Sequence, residues 1–173
     1  MTAAILFLAL RALHVLVAGL WIGSTVFMTM MLDPAVESAG ASGGRVMMRI
    51  NQRGITAYMA GMGITTVTTG LYLLWRFTGG FDLGVASTHA GLAFCAGGLS
   101  GILAGVVGGA AVGRTAAKIM AIMTQAMTLG DGPARGALML QVAGLKKRAE
   151  RASRVVIALQ ATALVLMAVG HYL

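Results

Sequence analysis

The chain has 173 residues, 58% hydrophobic and only 10% charged, whereas a soluble domain is about 45–50% apolar and about 25% charged. That excludes an ordinary soluble globular protein and leaves room for four or five membrane spans of about 20 residues. The net charge is +8, yet the basic residues flank apolar runs, the pattern of a membrane protein rather than of a nucleic-acid binder. The five acids, Asp33, Glu37, Asp82, Asp131 and Glu150, all fall outside those runs. A carboxylate proton relay within the bilayer and a paired-carboxylate hydrolase are therefore excluded. Cys95 is the single cysteine, so no intrachain disulfide and no Cys-x-x-Cys motif can form.

The first apolar run covers residues 5–32 and contains Arg11 and His14. It lacks a basic leader and a small-residue cleavage site before Arg11, and reads as a retained span. A connection with Arg45, Arg49 and Arg53 follows. The second run, residues 55–77, carries Thr65, Thr66, Thr68 and Thr69, which can hydrogen-bond across helices, and ends near Trp75 and Arg76. The third run, residues 86–112, opens at His89 and carries Gly97, Gly101, Gly105, Gly109 and Gly113, each four residues after the last. Such a row predicts a face for close approach of another helix or of a flat ligand, with Gly101 and Gly105 at its centre.

Residues 114–153 are expected to form a helical hairpin that extends spans three and four. Ile119, Met120, Met123 and Met127 recur at helical spacing, and Gly130, Asp131, Gly132 and Pro133 make the turn. Lys146, Lys147, Arg148, Arg151 and Arg154 lead into the fourth run, residues 155–173, which ends near His171. Eleven of the thirteen Lys and Arg residues lie in the two longer connections. The positive-inside rule places those connections in the cytoplasm and both termini in the periplasm of a bacterial inner membrane.

Counting about 1.5 Å per residue from the cytoplasmic anchors gives a height for each polar residue. His14 is about 28 Å from Asp33, His171 about 26 Å from Arg154, and His89 about 37 Å from Arg114. Arg76 is about 34 Å from Arg53, and Arg11 about 33 Å from Asp33. With a hydrocarbon core of about 30 Å, all three histidines and both arginines are expected at one periplasmic level. Neutral imidazole is a common ligand for haem iron, copper and zinc. Arginines beside it suit porphyrin propionates or another anion. His14 lies well inside its apolar run and is the expected first ligand, with His89 as partner and His171 as the alternative. Histidines also collect near a membrane surface without binding anything, so a site without a ligand stays open. The thirteen methionines read as adaptable packing, because many fall away from the histidines.

The stretch from Arg11 through His14 to Trp21 and Gly23, an Arg-x-x-His-x6-Trp-x-Gly pattern, resembles the opening of a broad group of bacterial four-span proteins. The group includes copper-resistance D-like domains, HemJ-type protoporphyrinogen oxidases and related uncharacterised membrane proteins. The resemblance to the HemJ type implies that His14 ligates a b-type haem. Those enzymes also carry a lysine in a later span, whereas here no span contains one.

These readings converge on a single all-α membrane domain over residues 1–173. It is expected to be a bundle of four transmembrane helices with a cytoplasmic helical hairpin. The expected role is a small redox protein that binds haem b near the periplasmic face and passes electrons between quinone and a partner. The alternatives are a cofactor-free structural or anchoring subunit of a larger membrane complex, and copper handling.

Overall fold

The computed structural model describes residues 2–173. Helix accounts for 89% of the chain, and no strand occurs among the described residues. Helix α1 (Thr2–Phe27) passes through a π-helical segment, Met28–Leu32, into α2 (Asp33–Ser38). Pro34 stands in the first turn of α2, where its missing N–H leaves no bond unmade. Helix α3 (Gly40–Gln52) is followed by Gly54, whose φ of 87° is the left-handed conformation that lets the chain reverse into α4 (Ile55–Phe77). After α4 the backbone turns through Gly79, Gly80 and Phe81, all at positive φ. The buried Thr78 hydroxyl braces that turn by donating to the Leu74 carbonyl and accepting from the Phe81 N–H. The single-turn α5 (Leu83–Ala86) and the longer α6 (His89–Val107) are capped by the side chains of Asp82 and Thr88. A second π-helical segment, Gly108–Gly113, joins α6 to α7 (Arg114–Met127), and α8 (Pro133–Val169) runs unbroken for 37 residues.

Three helical stretches are long and apolar enough to cross a membrane: Ala4–Ser38, His89–Met127 and Pro133–Val169. The run at residues 55–77 is not among them. As α4 it has 23 residues, about 34 Å of helix, but its threonines, tyrosines and Arg76 dilute its apolar content. Helix α1 packs on α4, α4 on α6, α6 on α8 and α8 on α1, while α7 lies along α8. The outer surface is apolar. Leu8 and Val15 on α1, Ile64 on α4, Leu99 and Val106 on α6 and Val165 on α8 are each more than half exposed. Such a surface suits lipid as the surrounding solvent. The centre is small: Trp21, Ala104 and Val156 are buried together, with Met59, Met62, Val107 and Leu159 against them.

The glycine row of the third run is not one packed face. Residues four apart advance about 40° around an α-helix, so the row winds as it descends. A Cβ at Gly97 would meet Met167 Cγ at 3.2 Å and the Ala163 carbonyl at 3.4 Å on α8, whereas one at Gly105 would touch Val67 and Trp21 near 3.9 Å. At Gly101 and Gly109 a Cβ would meet nothing within 4 Å. The tight glycine contacts with α1 come from α4 instead, at Gly63 and Gly70.

Candidate functional site

His14 projects from α1 toward α4 and is only 9% exposed. Its Nδ1 lies 3.0 Å from the Thr66 carbonyl oxygen and 3.0 Å from Thr69 Oγ1. A carbonyl oxygen can only accept. The Thr69 hydroxyl has one proton, and its bond to the Thr65 carbonyl at 2.6 Å uses it, so Thr69 also turns a lone pair toward the ring. With two acceptors against it, Nδ1 carries the imidazole proton and Nε2 carries the lone pair. Among the described residues no hydrogen bond reaches Nε2. A ring fixed through Nδ1–H to a backbone carbonyl, with Nε2 left unprotonated, is the arrangement that orients metal-ligating histidines.

Glycines on α4 make the room for this ring. A Cβ at Gly70 would lie 2.9 Å from His14 Cε1, and one at Gly63 would lie 3.2 Å from Trp21 Cζ2. His14 and Trp21 are two turns apart on α1, and Gly70 and Gly63 are two turns apart on the antiparallel α4. The matched spacing is visible in the sequence, but only to a reader who already pairs these two helices.

The other expected site residues are divided between separate places. Arg11 Nη2 donates to His171 Nε2 at 2.8 Å, so that imidazole nitrogen is an acceptor and its lone pair is engaged. The His171 ring packs edge-on to Phe94 with centroids 6.1 Å apart, and Phe94 packs edge-on to Phe77 at 4.9 Å. Arg76 borders a hollow of about 330 Å³ with Ala4, Phe7 and Phe77. The outer side of Arg11 borders a groove of about 560 Å³ along α1 with Leu8, Ala12, Val15 and Leu16. His89 is the first residue of α6 and is exposed.

The structure does not bring His89 to His14. His14 lies against Gly70; one turn further along α4, Leu74 faces Gly98 of α6, and His89 stands nine residues beyond Gly98. The two histidines are thus separated by about 20 Å along the helix axes. Of the residues expected at one level, Arg11 and His171 are in contact, whereas His89 is displaced from His14. The first helix continues through Asp33 to Ser38, so Asp33 does not end it.

A second buried polar contact lies lower in the structure. Gln160 on α8 is 2% exposed; its Nε2 donates to Thr25 Oγ1 at 3.4 Å, and Thr25 donates to the Trp21 carbonyl at 2.8 Å. Gln160 Oε1 and Thr66 Oγ1 are buried without a hydrogen-bond partner among the described residues. Among those residues no group of three His, Cys, Asp or Glu side chains is arranged to hold a metal ion. No family model, curated protein or solved structure matches the chain.

Proposed function

We propose that the protein is a small redox protein of the bacterial inner membrane, a bundle of four transmembrane helices with both termini periplasmic and the α7–α8 hairpin cytoplasmic. In this reading His14 holds a b-type haem through Nε2, and electrons pass between quinone and a partner protein. The observation that carries the proposal is the fixed tautomer of His14: a nearly buried imidazole whose Nδ1–H is held by Thr66 and Thr69, with the Nε2 lone pair left over. An unneeded imidazole deep in an apolar helix is unfavourable, and ligation gives it a purpose.

Haem, when bound, supplies a one-electron couple. Thr66 and Thr69 hold the ring angle and keep the proton on Nδ1. Gly70 lets the ring lie close against α4. Arg11 and Arg76, cations near one end of α1 and α4, suit the propionates. With the His171 lone pair engaged by Arg11 and His89 about 20 Å away along the helices, the described chain offers iron one imidazole rather than two.

The decisive measurement is the absorption spectrum of protein purified from haem-replete cells. A Soret band is expected, lost in His14→Ala while membrane insertion is kept, and retained in His89→Ala and His171→Ala. Colourless native protein would overturn the haem reading. The matched pairs His14–Gly70 and Trp21–Gly63 favour a second reading, in which His14 is a packing side chain of a cofactor-free anchoring subunit. Metal analysis of the same sample distinguishes copper handling from that reading.

A further inference from the structure

At the end of the molecule away from His171, the helices bring together basic side chains, of which Arg45, Arg49, Arg53 and Lys118 form no ion pair among the described residues. Gly108, at the start of the π-helical segment after α6, faces Val156 of α8, and ten residues further along each of these antiparallel helices Lys118 reaches the level of Lys146. Val67 faces Gly105 across α4 and α6; counting outward from that contact puts Arg53 at nearly the same level. From Arg53 the short helix α3 continues the pattern. Arg45, Arg49 and Arg53 are four residues apart, follow one side of the helix and are all exposed, with Val46 beside them at 49% exposure. The opposite side of α3 is turned inward through the buried Gly43 and through Gly44, whose Cβ position is 3.3 Å from Met123 Cε.

The few acids neutralise only part of this belt: Asp33 lies within electrostatic reach of Lys146, and the arginine row is left without such a partner. Among the described residues the acid–base ion pairs are Asp131 with Arg135 and Glu150 with Arg154. Neither involves Arg45, Arg49, Arg53, Lys118 or Lys146. Among the described residues the Arg45 guanidinium donates to Ser42 Oγ at 3.0 Å and to no carboxylate.

We propose that this belt, with the Arg45–Arg49–Arg53 row at its centre, is a docking surface for the phosphate headgroups of anionic phospholipid. Guanidinium groups recognise phosphate through paired N–H donors. An exposed basic row on a short amphipathic helix at the end of apolar spans is placed where headgroups lie. Val46, exposed within the row, meets the glycerol and upper acyl region rather than water.

The test uses the full-length protein in neutral detergent with added phosphatidylglycerol, phosphatidylcholine or inorganic phosphate. Lipid retention is read by native mass spectrometry, and stability by thermal unfolding. Phosphatidylglycerol is expected to be retained and to raise the unfolding temperature; phosphatidylcholine and inorganic phosphate are expected to do neither. Retention is expected to weaken about fivefold for each arginine removed in Arg45→Gln, Arg49→Gln and Arg53→Gln. Arg135→Gln, at the far turn and paired with Asp131, is expected to bind as the parent does. If a variant fails to fold, salt titration of the parent replaces it, and retention must fall as salt rises. Equal retention of both lipids, an equal effect of inorganic phosphate, or salt-independent binding would each overturn the proposal.

Discussion

The imidazole of His14 lies over Gly70 so closely that a Cβ built there would stand 2.9 Å from His14 Cε1. Space at this one backbone position decides how the ring is held, because Thr66 and Thr69 on the same face of α4 fix the ring from its Nδ1 side.

Gly70→Ala is therefore expected to force a shift of His14 and to lower stability by about 1–3 kcal/mol, the usual range for overpacking a fitted contact. Gly61→Ala on the same helix, where a Cβ meets nothing within 4 Å, is expected to be neutral or mildly stabilising through helix propensity. Thermal unfolding of both variants in detergent gives the comparison. Equal losses would mean that the α1–α4 contact is looser than described.

The glycine row separates in the same assay. Gly97→Leu places a branched side chain against Met167 and the Ala163 backbone, and a loss of at least about 2 kcal/mol is expected. Gly101→Leu and Gly109→Leu enter open space and are expected to change stability by less than about 1 kcal/mol. A severe loss at Gly101 would show that something unseen occupies the space beside it.

Gln160 offers a test of buried polarity. Its Oε1 has no donor among the described residues, and Thr25 keeps its bond to the Trp21 carbonyl without it. Gln160→Leu is expected to be neutral or stabilising by up to about 1 kcal/mol, because an unsatisfied buried acceptor is removed with little change in volume. Gln160→Ala is expected to cost about 2 kcal/mol through the cavity it leaves. If Gln160→Leu is as damaging as Gln160→Ala, the amide has a partner that these contacts do not contain.

Orientation is checked by single cysteines in a Cys95→Ser background. An impermeant reagent added outside the cell is expected to label a cysteine placed after Asp82 and to miss one placed after Asp131. The reverse pattern would invert the proposed topology and remove the periplasmic assignment of the Arg11–His171 end.

The all-helical fold was legible in the sequence because 58% hydrophobic content with 10% charge admits little else. The turn at residues 130–133 was legible too, since Gly-Asp-Gly-Pro is its own local signal. The helix ends were legible only in part. The spacing of Ile119, Met120, Met123 and Met127 carries the helical continuation past Arg114. Asp33 looks like a stop because it is charged, yet the backbone continues through it by way of a π-helical segment, and one charge does not break a helix. His14 stood out as a polar residue in an apolar run. Its partners did not, because Thr66 acts through its carbonyl, a group every residue has, and Gly70 acts by lacking a side chain. Pairing Arg11 with His171 required knowing that residues 160 positions apart meet.

Helix α8 is one rod of 37 residues, about 55 Å long, of which a bilayer core covers about 30 Å. In the proposed topology the remaining part, about 25 Å, stands clear of the hydrocarbon with α7 along its side. A rod held in that way would be a lever with its fulcrum at the lipid surface, and each degree of tilt within the membrane would carry the exposed tip sideways by about 0.4 Å.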